Sequence, residues 1–339
     1  MAQQKITLQK IAELAGVSLG SVSRVLNHQA GISEATRKRI QKIINETGYV
    51  PSVIGQALAK GRSMNVLLQV MNVTDPYYAN VSKQISRCLR KKGYRTILGN
   101  SEGNATLERE HLLGNLNGSV DGMIVSPIFS EKNLSLYQSL LEQRFPILLL
   151  DNPIGDLPIP CVRYDDYLGA RLMMDHLISQ GHRHILFLQD KTNFVTIKDR
   201  CRGYIDGLQA HGIPFVPERI HVIPHEVYHW DGQSLETLLR GPQAPTAVFA
   251  SNEIIAIFCI NVILRVGLKV PDDVAVAGVN DAISPLLSPI SLTTISLQME
   301  KACQQAVDAL LQLIESPERR TLFPQTYIQK PKLIVRSSA

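Results

Sequence analysis

The sequence predicts a mixed α/β protein in two parts, a three-helix N-terminal headpiece and a larger core of two doubly wound α/β lobes. Three observations lead there. Apolar residues recur at helical spacing in three short segments within the first 50 residues, where nothing reads as a strand. From residue 64 onward, short apolar runs suited to buried parallel strands alternate with helical stretches, and the series occurs twice. Charge is also unevenly placed: residues 1–63 hold nine basic and three acidic side chains, whereas the rest of the chain holds 26 basic and 27 acidic ones. A cationic headpiece on a near-neutral body points to a polyanionic partner.

In the headpiece, Thr7 is placed to cap a first helix that aligns Leu8, Ile11, Ala12 and Ala15, and Gly16 ends it. A second helix follows Ser18 and buries Val22, Val25 and Leu26. A third follows Ser33, carries Glu34 in its first turn and Ile40, Ile43 and Ile44 inward, and stops at Gly48 in the C′ position. The stretch GVSLG, residues 16–20, also fits the G-x-S-x-G pattern that presents a nucleophilic serine. That elbow needs a strand before the serine and a sheet around it, and here a helix precedes Ser18. The segment instead reads as the turn and second helix of a helix-turn-helix.

The core's first strand series is NVLLQVM at 65, RTILGN at 95, GMIVSP at 122 and PILLLD at 146, with helical stretches such as 77–92 and 106–117 between. The second is HILFLQD at 184, RIHVIP at 219, AVFASN at 247 and VAVAGVN at 274. Such lobes take ligand beyond the carboxyl ends of their strands, in the crevice between them. No glycine-rich dinucleotide fingerprint follows a strand and no P-loop is present, so the sequence calls for no cofactor.

Composition excludes other classes. With 45% hydrophobic and 19% charged residues the chain is globular. No apolar run approaches the roughly 20 residues of a membrane helix. The opening MAQQKITLQKIAEL lacks the apolar region of a secretory signal, which makes a cytoplasmic location the expectation. Five scattered cysteines (88, 161, 201, 259 and 303), never spaced as C-x-x-C, read as reduced structural thiols. His221, His225 and His229 recur every fourth residue, but Pro224 breaks the helix that would align them, so no metal site is expected.

TLQKIAELAGVSLGSVSRVLN, GISEATRKRI and TGYVPS, in that order and spacing, closely resemble the headpiece of the lac repressor family of bacterial transcription regulators. TDPYYANV, KKGYRTILGNSEGN, VDGMIVSP, LISQGHRHILFL, RCRGYIDGL, TAVFASNE, GLKVPDDVAVAGVND and LTTISL extend the resemblance over essentially the whole chain. It implies a helix-turn-helix headpiece at 1–50, a hinge at 51–63 and a periplasmic-binding-protein-like core at 64–339. Within the core it implies a first lobe of about 64–163 and 294–325, and a second of about 164–293 and 326–336.

By that resemblance the helix from Leu19 enters the DNA major groove. Leu19 and Gly20 stand where base-reading side chains usually sit, and Arg24 stands at a third contact. Thr7, Ser21, Ser23 and Asn27 are placed toward the duplex as well, the serines and Asn27 as phosphate donors; for the serines, capping is the plainer alternative. Gly20 departs from the family pattern because it has no group to donate or accept. Leu58 matches the hinge residue that wedges into the minor groove, while Gly55 and Gln56 depart from the usual pair there and imply a hinge that orders less readily.

The resemblance further assigns effector contacts to Tyr77, Asp151, Arg200, Asn252 and Asn280. Asn280 replaces the family's usual aspartate, and Val227 lies where an aromatic often stacks, with Tyr228 and Trp230 adjacent. The missing carboxylate slightly favours a sugar acid or sugar phosphate over a neutral sugar.

The function implied is a DNA-binding regulator, a repressor by type, controlled by a carbohydrate-derived effector and acting on a pseudopalindromic operator. The chain ends at KLIVRSSA without a leucine-repeat tail, which implies a homodimer. Two alternatives carry less support: a sugar-binding transport receptor, which would need export, and an enzyme using Asp151, Asp165 or Asp166, for which no matching motif exists.

Overall fold

Capping groups set the limits of the N-terminal helices in the computed structural model. The Thr7 side chain accepts from the Lys10 N–H at 3.2 Å and opens α1 (Leu8–Ala15), which closes at Gly16 in the left-handed region, φ 60° and ψ 41°. Ser18 Oγ accepts from the Ser21 N–H at 3.2 Å ahead of α2 (Leu19–Leu26). Ser33 caps α3 (Glu34–Thr47) through the Thr36 N–H, and Gly48 ends it at φ 61°. Ile11, Ala12, Ala15, Val22, Val25, Ile40 and Ile44 form the core of this unit, with Leu26 and Ile43 half-buried at its edge.

The structure describes residues 6–26, 29–49, 61–128, 130–191, 194–223, 227–283, 290–316 and 326–339. The chain separates into two units, Met1–Ser63 and Met64–Ala339. Asn27, Gly55, Gln56 and Leu58 lie outside the described residues, as does most of the expected hinge.

The second unit contains two six-stranded sheets. The first runs β2 (Arg95–Asn100), β1 (Asn65–Val70), β3 (Gly122–Val125), β4 (Ile147–Leu150), β5 (Cys161–Tyr164) and β11 (Thr326–Gln329), all parallel. The second runs β7 (Ile220–Ile223), β6 (Ile185–Asp190), β8 (Ala247–Ala250), β9 (Ala275–Asn280), β10 (Thr293–Ser296) and β12 (Lys332–Ile334), with only β12 antiparallel. β1, β3, β4, β6, β8 and β9 are almost wholly buried, as expected for strands covered on both faces.

Helices α4 (Pro76–Lys91), α5 (Ala105–Gly114) and α6 (Glu131–Glu142) belong to the first lobe, which α11 (Met299–Glu315) completes by packing on α4 and β3 to β5. The second lobe holds α7 (Asp166–Ser179), α8 (Val195–Ala210), α9 (Gln233–Leu239) and α10 (Glu253–Arg265). All five cysteines are free; Cys201 is half-buried and the others are buried.

The lobe limits require a correction. Sequence reasoning places 294–325 in the first lobe and 326–336 in the second, yet β10 pairs with β9 in the second sheet and β11 with β5 in the first. The chain changes lobes after β5, after β10 and between β11 and β12. The reason is topological: a parallel strand hands the chain on at its carboxyl end, so the crossings fall after these strands rather than before them.

Candidate functional site

Two surfaces hold the predicted residues, one in each unit. In the headpiece, Leu19, Gly20 and Arg24 are exposed along α2, while Ser21 and Ser23 are half-buried. Ser18 and Ser21 engage each other, their hydroxyls 3.0 Å apart, in addition to the capping bond. Ser18 is therefore a cap, and Thr7 performs the same task for α1. On α3, Lys38 and Arg39 are exposed, whereas Arg37 donates to the Gln29 carbonyl at 2.8 Å.

In the second unit, the parallel sheets bring their strand ends together around a cavity of about 260 Å³. Asp151 and Asn152 follow β4, Asp190 ends β6 and Asn280 ends β9, while Asp75, Tyr77 and Tyr78 open α4. Phe194, Thr196, Ile197 and Arg200 come from the start of α8, and Asn252, Ile254 and Ile255 from the start of α10. Tyr77, Asp151, Arg200, Asn252 and Asn280 all line this one cavity.

Arg200 is anchored from behind. Its Nε donates to Asp166 Oδ1 at 2.7 Å and its Nη1 to the Ser251 carbonyl at 2.6 Å, with Arg200 5% and Asp166 2% exposed. Burial alone would lower the guanidinium pKa, but Asp166 and Asp151 overcome it, so Arg200 stays charged. Asp166 has its own carboxyl pKa raised by burial, against the opposing pull of Arg200.

Asp151 is held in the left-handed region at φ 77° and is nearly enclosed. Burial pushes its pKa up to about 7; Asp166 adds to the rise, while Arg200 and Arg163 oppose it. Asn152 Nδ2 donates to Asp151 Oδ2 at 3.2 Å, leaving Asn152 Oδ1 buried with no hydrogen-bond partner among the described residues. Asp75 caps α4 through the Tyr77 N–H at 2.8 Å, and its pKa is raised by burial and by neighbouring Asp190. Asn252 caps α10 through the Ile255 N–H at 2.9 Å. Asn280 sits at φ 120°, which turns the backbone sharply at the end of β9.

Sequence reasoning missed several lining residues. Asp75 and Asp190 were legible as a helix cap in TDPYY and as the terminal carboxylate of HILFLQD. Phe194 and Tyr78 supply the aromatic surface sought near Val227. Val227 does line the cavity, whereas Trp230 is buried in the core against Phe258, ring centroids 5.0 Å apart. Phe194 had no signal, since it follows a strand by a loop of indefinite length. His221 pairs with Ser234 Oγ at 2.9 Å, and His225 lies outside the described residues.

Comparison with known proteins matches both units. Residues 7–52 match the bacterial regulatory proteins of the lacI family, and residues 174–339 match the periplasmic binding protein-like domain. The HTH-type transcriptional repressor PurR of Aliivibrio fischeri (strain MJ11) is 29% identical over 341 residues, covering 98% of each chain. The transcriptional regulator CelR in complex with cellobiose is 27% identical, with a TM-score of 0.72 over 98% of this chain and 100% of its own. The lac repressor dimer bound to operator and an anti-inducer shares the fold, with a TM-score of 0.85 and 23% identity over 99% of both chains. Among the described residues no helix is long and apolar enough to cross a membrane. With a helix-turn-helix at its start, a two-lobed cleft in its core and repressors of the same organisation as full-length relatives, the chain belongs to the lac repressor family.

Proposed function

We propose that this protein is a cytoplasmic, dimeric transcriptional repressor that binds a pseudopalindromic operator and is controlled by a small, uncharged, hydroxyl-rich effector in the inter-lobe cleft. The observation that carries the reading is the convergence of Tyr77, Asp151, Arg200, Asn252 and Asn280 on one cavity, in a chain that begins with a cationic helix-turn-helix. Two-fold pairing suits the headpiece, because one recognition helix reads only a few base pairs and a dimer reads two half-sites about one turn apart. A coupling of about 1–3 kcal/mol between cleft and headpiece gives a 5- to 150-fold change in operator affinity.

The charge of the lining narrows the effector. Among the described residues, Asp75, Glu102, Asp151 and Asp190 line the cavity against one cation, Arg200, which already spends two of its nitrogens on Asp166 and Ser251. A carboxylate or phosphate about 4 Å from an ionised member of this group meets a repulsion on the order of 4 kcal/mol. Hydroxyl groups instead donate to the carboxylates and accept from Arg200 and the asparagine amides. The preference drawn from Asn280 alone, for a sugar acid or phosphate, therefore gives way to a neutral ligand.

A thermal-shift screen of neutral sugars, nucleosides, sugar acids and sugar phosphates tests this, because a bound ligand raises the midpoint by mass action. Neutral members raise it and acidic members do not. A hit confined to phosphorylated or carboxylated compounds would overturn the effector class. Duplex binding that does not weaken with added salt would contradict the phosphate contacts expected of the headpiece.

A further inference from the structure

Leu19 and Gly20, at the start of α2, are both unexplained by the fold. Leu19 is 49% exposed although it is a large apolar residue on a small domain whose core is complete without it. Gly20 is helical, and glycine is the poorest helix former apart from proline. Nothing demands it: its φ is ordinary, and a Cβ there would meet only Ser18 Oγ, at 3.8 Å. Alanine would fit and would stabilise the helix. An apolar side chain left in water beside a glycine the fold does not need marks a surface shaped for something that approaches from outside.

The neighbouring groups narrow what that is. In a helix-turn-helix the first residues of the second helix meet base edges in the major groove. Ser18 Oγ accepts from the Ser21 N–H and pairs with Ser21 Oγ at 3.0 Å, so these hydroxyls are largely committed to each other. The leading turn of α2 thus presents one leucine and one bare stretch of backbone, beside a pair of serines engaged with each other. In the major groove only thymine offers an apolar group; adenine, guanine and cytosine offer donors and acceptors that leucine would desolvate without replacing.

Resting on the DNA-binding reading above, we infer that Leu19 and Gly20 form an apolar notch that reads the 5-methyl group of a thymine in each operator half-site. Leu19 packs on the methyl group. Gly20 lets the helix backbone come close enough for that contact, and a β-carbon at position 20 would hold the helix away. Specificity at this step is therefore read by shape and apolar contact rather than by hydrogen bonds.

The test uses the full chain and a pool of random duplexes. After selection, each thymine of the enriched site is replaced in turn by deoxyuridine, which removes only the methyl group. At one thymine per half-site the replacement is expected to weaken binding about 3- to 10-fold, and Leu19→Ala is expected to bind the thymine and uracil duplexes equally. Because Leu19 is exposed, that variant folds; its thermal midpoint checks this. Gly20→Ala is expected to raise the thermal midpoint while weakening the selected site at least 10-fold. An enriched site that tolerates uracil at every position, or a uracil penalty that persists in Leu19→Ala, overturns the methyl contact alone. Undiminished binding by Gly20→Ala overturns the close approach. Failure of any sequence to enrich removes the inference together with the DNA-binding reading.

Discussion

The side-chain amide of Asn80, on α4 of the first lobe, donates to the main-chain carbonyl of Ala282, in the second lobe, at 2.7 Å. Ala282 is itself fixed, because its N–H and that of Ile283 donate to Glu253 Oε2 at 2.7 and 2.9 Å. A second tie joins the lobes where Arg163 on β5 meets Asp199 on α8 at 3.3 Å. The two lobes are thus joined by direct bonds, the first of them two residues beyond Asn280. Asn80→Ala removes the first of these without touching the cavity lining, and one hydrogen bond is worth about 1 kcal/mol. Effector affinity is expected to fall about 5-fold in isothermal titration, with the unfolding midpoint nearly unchanged.

Effector affinity is also expected to depend on pH. Burial pushes the Asp151 carboxyl pKa up to about 7, above the ordinary aspartate value of 3.8, so between these values the folded protein holds a proton there that the unfolded chain releases. Its contribution to stability therefore declines as pH rises from about 4 to about 7, then levels off. A ligand hydroxyl that donates to Asp151 needs the ionised form, so binding strengthens as pH rises toward 7 and levels off above it, with protons released. Titration calorimetry in buffers of different ionisation enthalpy measures that release. Asp151→Asn is expected to be more stable than the parent at pH 8, but not at pH 4, and to lose the effector.

Arg200→Lys tests the anchoring behind the cleft. Lysine replaces the rigid fork, which uses two nitrogens here, with a single ammonium on a flexible stem, so it holds Asp166 and the Ser251 carbonyl less well. Asp166 is 2% exposed, with its Oδ2 already unpartnered among the described residues. Leaving such a group poorly paired costs about 3–5 kcal/mol. Chemical denaturation should show a loss of that order; a loss below 1 kcal/mol would mean that the pair is not the anchor described.

Gly203 explains how α8 can present Arg200 at all. A β-carbon at Gly203 would lie 2.6 Å from the Tyr167 carbonyl and 2.7 Å from Ala170 Cβ, both on α7. Gly207, one turn on, would meet Met174 Cβ at 2.6 Å. The two glycines let α8 lie close against α7. Gly203→Ala is expected to destabilise the core by about 1–3 kcal/mol through overpacking, measurable by denaturant titration.

What the sequence made legible follows from how strongly each signal is constrained locally. The caps at Thr7, Ser18 and Ser33 and the helix stops at Gly16 and Gly48 are short-range, and they stand where they were placed. The long apolar strands β1, β6 and β9 were legible for the same reason. β5, β11 and β12 were not, because CVRY, TYIQ and KLI are three or four residues long, and the last two are half-exposed edges whose pairing is decided by tertiary contact. Missing them displaced the lobe crossings. In the cleft, the residues that the family resemblance supplied line the cavity, whereas Phe194 and Glu102 lie outside the regular elements, and only the folded lobes bring them there. The acidity of the lining was hidden in the same way, since Asp75, Asp151 and Asp190 are far apart in sequence.

The most direct test of the whole account is the affinity of the full chain for its selected duplex, measured by fluorescence anisotropy with and without the ligand found in the thermal-shift screen. The coupling proposed here gives a change of 5- to 150-fold, accompanied by a steep loss of affinity as salt is raised. An affinity that is the same with the cleft filled and empty would contradict it.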